Sequence, residues 1–168
     1  VTFLDITPPD VTFGDTTVVS VTSGDCSSVV TFQRPSYEIQ GGPAVTDNCT
    51  PGAAVTIAQG TPTWSGGTFN LTIPPFDPNQ PQASNNAVLQ FPVGTTTIPF
   101  IWTDDSGNAT TRYKVIVVNE NLKPTPKCKT GIVNLALDAT GMATLTPSMV
   151  DDGSFDNCGT VVLSVVST

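Results

Sequence analysis

Residues 95–103 read TTTIPFIWT, and residues 111–118 read TRYKVIVV. Both are short alternating runs rich in β-branched and aromatic residues, and DDSGN (104–108), an ordinary turn sequence, separates them. Runs of this kind bounded by Gly, Pro, Asp or Asn are the signature of β-strands. The pattern recurs outward in both directions, in VVTFQRP (29–35), AAVTIAQG (53–60), GIVNLALD (131–138), GMATLTP (141–147) and TVVLSVVS (160–167). No helical stripe competes with it. Strands at this spacing predict an all-β fold, an antiparallel sandwich.

Composition narrows the chemistry. Only 12% of the 168 residues are charged, with 14 acidic against 6 basic, a net charge of −8 and a pI near 4.1. Nucleic acid is an unsuitable partner, because its affinity comes from Lys and Arg neutralising phosphates. An acidic surface suits hard cations instead. The chain has no histidine, which removes the commonest general base, transition-metal ligand and pH switch together. No stretch reaches the ~20 apolar residues of a membrane span, so no membrane insertion is expected. The opening VTFLDITPPD lacks a basic region followed by an apolar run, and the chain is read as a piece of a longer protein.

The chain divides near Asn121. Residues 118–128, VNENLKPTPKC, pass from a strand into two prolines two apart, the mark of a stiff extended linker. The expected organisation is a lead-in at 1–9, a sandwich over 10–120, a linker at 121–127 and a partial second sandwich over 128–168. Within the first sandwich an irregular insertion is expected at about 65–90, with PPFDPNQPQASNN (74–86) as its core. Two cysteines fall on each side of the boundary. Of three possible pairings the local one, Cys26–Cys49 with Cys128–Cys158, is the simplest. Loops of that size would each stabilise by roughly 3–4 kcal/mol. Even number and matched placement favour disulfides and an extracytoplasmic location. The absence of Cys-x-x-Cys and of histidine argues against zinc.

The order DITPPDVTF, SGDCSSVVTFQRP, AVTDNC, SGG and FPVGTTTIPFIWTDDSGNATTRYKVIVVNE resembles the hyalin repeat (HYR) domain over roughly residues 5–119. The resemblance implies an immunoglobulin-like sandwich serving as a stalk or adhesion module in extracellular proteins. Residues 123–159, KPTPKCKTGIVNLALDATGMATLTPSMVDDGSFDNCG, resemble a related repeat of very long Bacteroidota surface adhesins, typically exported by type IX secretion and used in attachment or gliding. Two departures stand out. The cysteine pair that many HYR domains carry in PPDVTF and ATTRYKV is absent here, and the connection between SGG and FPVG is longer than usual. After VVLSVVST the second repeat still needs its last hairpin, so exposed strand edges and an apolar face are expected there. The implied partners are adjacent repeats of the same chain, surface glycans or another cell-surface protein. Alternatives are a carbohydrate-binding or spacer module of a secreted enzyme, or a fibre subunit completed by a neighbouring chain's strand.

In an immunoglobulin-like topology TDNC (46–49) and DDSGN lie at one end of the sandwich. Asp47, Asn48, Asp104 and Asp105, with Asn108, are then expected to converge as oxygen ligands for a structural Ca²⁺. Asp151, Asp152, Asp156 and Asn157 form the comparable cluster of the second repeat, and Glu120 lies at the junction with Asn121. The competing reading is that these side chains only form turns. Trp102 is expected in the core. Trp64, Phe69 and Phe76 are candidates for an aromatic sugar platform, against simple packing of the insertion. Acids confined to turns and the missing histidine give no nucleophile–base pair, so no catalysis is expected.

Overall fold

The structure, a computed structural model, describes residues 4–14, 16–21, 24–36, 45–50, 54–67, 71, 73–80 and 85–166. Among the described residues nine strands follow in chain order: β1 (Asp10–Val11), β2 (Thr16–Val21), β3 (Ser27–Gln33), β4 (Val45–Thr46), β5 (Thr56–Gln59), β6 (Thr63–Trp64), β7 (Asn86–Pro92), β8 (Gly94–Thr103) and β9 (Ala109–Glu120). The fold is all-β, as the alternation predicts. β8 and β9 form the long hairpin around DDSGN, in register from Thr103↔Ala109 to Gly94↔Val118. They are the centre of a five-stranded sheet ordered β2-β9-β8-β5, with β6 also on β8. β3 pairs with β7, and β1 with β4. All ladders are antiparallel except β2 on β9, which runs parallel from Thr16↔Val115 to Val21↔Glu120.

The period of two explains the core. Along β8, Thr96, Ile98, Phe100 and Trp102 point inward and are buried. On β9, Ile116 and Val118 meet them, and Val30 and Phe32 of β3 with Ala87 and Phe91 of β7 close the same cluster from the facing sheet. Phe13 packs edge-on against Phe100 at 5.4 Å and tilted against Trp102 at 5.3 Å. Pro99 is tolerated in this central strand because the ladder leaves a gap there. β5 pairs with residues 100–103 and β6 with residues 96–97, while Gly60 donates its N–H to the Pro99 carbonyl at 2.9 Å. The missing Pro99 N–H faces that gap, so no ladder bond is lost.

Part of the expected insertion is structured. Residues 86–90 belong to β7, and residues 73–80 lie against the sandwich through Phe76, 5.5 Å from Phe100, and through Arg34, which donates to the carbonyls of Pro74 and Pro75. The lead-in is likewise attached. Thr110 Oγ1 donates to the Pro9 carbonyl at 2.6 Å and Arg112 Nε to the Val11 carbonyl at 2.9 Å.

Beyond Glu120 the expected strands do not pair. Among the described residues 121–166 there is no ladder, only isolated bridges Thr125↔Phe155 and Cys128↔Asp151 and the one-turn helix α1 (Pro147–Val150). None of these residues is buried, and Ile132 and Val162 are 91% and 90% exposed. Residues 137–141, LDATG, form a turn, with Asp138 Oδ1 accepting N–H groups from Thr140 and Met142. A strand gains little without a partner and an apolar face to cover, and the described residues 121–166 form no sheet that would supply them.

The cysteine pairing differs from the local expectation. The disulfide joins Cys26 to Cys158 across a sequence separation of 132, and Cys49 and Cys128 are free and exposed. The reason is the length of β8. The Cys26 carbonyl accepts from Val93, just before β8 begins, whereas Cys49 follows β4 at the end where β8 finishes in Asp104. Ten residues at about 3.3 Å each place those ends roughly 30 Å apart. A disulfide tolerates no more than about 7 Å between Cα atoms. Cys26–Cys49 is thus ruled out by topology, and Cys128–Cys158 by the use of Cys158 elsewhere.

Candidate metal centre

Three carboxylates meet at the end of the sandwich where β8 turns into β9. Asp5, Asp47 and Asp104 each offer an oxygen, and these oxygens lie within 4.8 Å of one another. Different segments deliver them. Asp104 follows the last residue of β8, Asp47 follows β4, and Asp5 lies in the extended lead-in to β1, which pairs with β4 at Asp10↔Thr46. Asn108 ties the lead-in to the turn, its Nδ2 donating to the Asp5 carbonyl at 3.2 Å and to Asp104 Oδ2 at 2.8 Å.

Each carboxylate is held by its own local turn. Asp104 Oδ1 accepts the N–H groups of Ser106 at 2.9 Å and Asn108 at 2.8 Å, and Gly107 supplies the positive φ that the turn requires. Desolvation opposes ionisation of Asp104, but hydrogen bonds from the Asn108 side chain and from the Asn108, Ser106 and Gly107 N–H groups outweigh it and hold its pKa below the usual carboxylate range. Asp47 Oδ1 accepts from Cys49 N–H at 3.0 Å and Thr50 N–H at 2.6 Å. Asp5 Oδ1 accepts from Thr7 N–H at 3.0 Å. The second oxygens of Asp5 and Asp47 are buried and accept no hydrogen bond. Buried acceptors of this kind call for a partner. The adjacent Cys49 thiol registers the field, its pKa raised by desolvation first and then by Asp5, Asp47 and Asp104.

The structure thus joins Asp47 and Asp104 as the sequence predicts and adds Asp5, which sequence reasoning left in the lead-in. Asp105 and Asn48 are exposed, and Asp105 is not one of the three converging acids. The second predicted cluster does not assemble. Asp151 turns Oδ1 to Ser154 N–H and Oδ2 to Gly153 N–H, while Asp156 Oδ1 takes Cys158 N–H and Gly159 N–H. Asp152 is exposed, and Asn157 Nδ2 donates to Cys158 Sγ. Glu120 accepts the Leu122 N–H and joins no cluster. Among the described residues the Asp5–Asp47–Asp104 group is the sole set of three such ligands.

The aromatic platform does not assemble from its described members. Phe76 packs into the sandwich beneath the Arg34 guanidinium, 5.7 Å above its ring. Trp64 donates Nε1 to the Val93 carbonyl at 3.1 Å and covers Gly66, where an added Cβ would lie 2.2 Å from the indole. Phe69 lies outside the described residues.

The donor set fits a hard cation. It consists of oxygens, two of them buried without a partner, and Ca²⁺ accepts carboxylates, carbonyls and water in flexible geometry. No family model matches the chain, and no curated protein matches it.

Proposed function

We propose that this chain is a non-catalytic, HYR-like repeat module of an extracellular cell-surface adhesin, a rigid spacer or attachment unit whose carboxylate end is fastened by Ca²⁺. The observation that carries this reading is the pair of unpartnered buried oxygens on Asp5 and Asp47 facing Asp104, in a chain of net charge −8. An ion there ties the lead-in, the segment after β4 and the β8–β9 turn into one unit, which stiffens the end through which a preceding repeat would pull. Three carboxylates leave several coordination positions to carbonyls and water, which suits the weak affinities of extracellular calcium modules, about 10⁻⁴–10⁻³ M. Asp77, Asp138, Asp151 and Asp156 accept backbone N–H groups in turns, which supports a structural role for them.

Thermal unfolding in EGTA and across a calcium titration tests the ion. Wild type is expected to gain several degrees at millimolar Ca²⁺, since a ligand that binds only the folded state raises its stability. Asp5→Asn and Asp47→Asn should abolish the gain, and Asp156→Asn should retain it. An unchanged melting temperature at millimolar Ca²⁺ sinks the metal reading. Surface display is tested separately, by protease treatment of intact source cells, which should release the module without lysis.

A further inference from the structure

The period of two that builds the core also sorts the charges of the five-stranded sheet. β9 carries Arg112, Lys114 and Glu120, and all three share the even positions of Ile116 and Val118, whose side chains are in the core. The odd positions of β9 and β8 face outward. The registers Val18↔Val117 and Ala58↔Ile101 place alternate residues of β2 and β5 on that same face. No Asp, Glu, Lys or Arg stands among these outward residues, and none of them is buried. An apolar band crosses the face diagonally, from Val18 through Val117 and Val115 to Tyr113, Pro99 and Ile101, with threonines on both sides of it. Val18 and Tyr113 are 60% and 52% exposed. The solvent face of a sheet is ordinarily its polar face, and a broad apolar band left in water marks an interaction surface.

We propose that two copies of the chain pair sheet to sheet through this face, as a two-fold dimer with the Tyr113–Pro99 pair at its centre. Charge and area together select a second copy as the occupant. Chains of net charge −8 repel each other, and the repulsion is least where the touching surfaces carry no charge. Four strands about 4.8 Å apart and ten residues at about 3.3 Å make a face of roughly 19 by 33 Å, or about 600 Å² per copy. Two such faces bury about 1,200 Å², the lower bound of a specific interface, which places the dimer in roughly the micromolar range. The outward face of the β3–β7 pair is uncharged as well, but two strands of seven residues offer only about 220 Å² and fall short. Because the same patch serves both copies, the contact is isologous and closes at two. Aligned sheets pack about 10 Å apart with their side chains interdigitated. The carboxylate end begins where β8 finishes, so pairing leaves it open and is independent of the calcium reading.

The test uses the full chain with Cys26–Cys158 intact and the two free thiols capped by iodoacetamide, in EGTA. Sedimentation velocity from about 1 to 200 µM should show a monomer–dimer equilibrium. The dimer should tighten several-fold between about 0.02 and 0.5 M salt, as screening removes the repulsion between the chains. Tyr113→Lys should weaken it by about tenfold or more, since two ammonium groups would face each other near the axis. An equimolar mixture of Tyr113→Lys and Tyr113→Glu should restore it. Val88→Lys adds the same charge to the β3–β7 face and should leave the dimer unchanged, and the fluorescence of buried Trp102 checks that each variant folds. A chain still monomeric at about 200 µM in 0.5 M salt, an association that loosens with salt, growth beyond the dimer, or loss with Val88→Lys rather than Tyr113→Lys would each overturn the proposal. A monomeric chain that binds microcrystalline cellulose, and stops binding it with Tyr113→Lys, would assign the face to a carbohydrate and overturn the proposal as well.

Discussion

Removing the Cys26–Cys158 disulfide by Cys26→Ser with Cys158→Ser should cost far less than its loop length implies. The bond closes a loop of sequence separation 132, for which the chain-entropy relation gives about 5 kcal/mol. That value assumes that every residue inside the loop stays in place in the folded protein once the bond is gone. Residues 121–166 do not meet this condition, because none of them is buried and no ladder holds them. Cutting the bond in the folded state releases that segment, which gains freedom of its own. The folded-state loop runs only from the end of β9 at Glu120 to Cys158, about 38 residues. The net effect on unfolding of the sandwich is then (3/2)RT times the logarithm of the ratio of the two loop lengths, about 1 kcal/mol. Urea unfolding followed by the fluorescence of buried Trp102 measures it. The expected result is a loss of about 1 kcal/mol with an unchanged denaturant slope, since the released segment adds no buried surface. Limited proteolysis should cleave residues 121–166 of the variant rapidly while the sandwich resists. A loss near 5 kcal/mol would refute the reasoning and show that the C-terminal segment holds to the sandwich through contacts of its own.

Other consequences follow from single residues. Phe100→Ala should destabilise by about 3–5 kcal/mol in chemical denaturation, since its ring is fully buried against Phe13 and Phe76. Gly94→Ala should cost about 1–3 kcal/mol by the same assay, because φ is +116° and the new Cβ would lie 2.7 Å from Ser65 Oγ and 2.9 Å from Trp64 Nε1. Asp104, Asp77, Asp138 and Asp151 have folded pKa values held below their usual value of 3.8. Groups depressed in this way stabilise above their unfolded pKa and lose that contribution as pH falls through the folded value. Stability measured by denaturation should therefore be level from about pH 7 to pH 5 and fall below about pH 4. A histidine-like step between pH 5 and 8 would contradict a chain that has no histidine.

The strands were legible because their pattern is local. TTTIPFIWT and TRYKVIVV carry the period of two in their own residues, and β8 and β9 appear where that period predicts. Asp104 was legible for the same reason, since DDSGN fixes its turn without help from the rest of the chain. Asp5 was not. DITPP has no alternation, and its position depends on the β1–β4 pair and on Asn108 reaching the Asp5 carbonyl, which are tertiary facts. The cysteines show the opposite error. Nearness in sequence favours a short loop, but an intervening sandwich carries neighbours to opposite ends, and strand length decides the distance. The runs 131–138 and 141–147 and residues 160–166 have strand composition and no ladder, because β-propensity expresses packing against a partner sheet more than a preference of the backbone.

The repeated Asp-Asn-Cys isolates what local sequence can and cannot do. In both copies the aspartate accepts the N–H groups two and three residues ahead: Asp47 from Cys49 and Thr50, Asp156 from Cys158 and Gly159. The same three residues fold into the same turn in a packed sandwich and in a segment with no core. Only the first becomes part of a converging acid cluster, because a hairpin brings Asp104 and a lead-in brings Asp5 to it. The second copy has neither, and its cysteine is bonded to Cys26 at the far end. If the site belonged to the motif, both copies would gather acids. That one does and one does not places the site in the β8–β9 hairpin and what it contacts. It follows that adding a hairpin like residues 91–120 after Val166 together with a lead-in like residues 4–9 should create a second calcium-dependent transition, whereas altering residues 156–158 alone should not. Calorimetry of the extended chain in EGTA and in Ca²⁺ decides between them, and a second calcium-dependent transition lost on Asp156→Asn would locate the second site at the Asp156 turn.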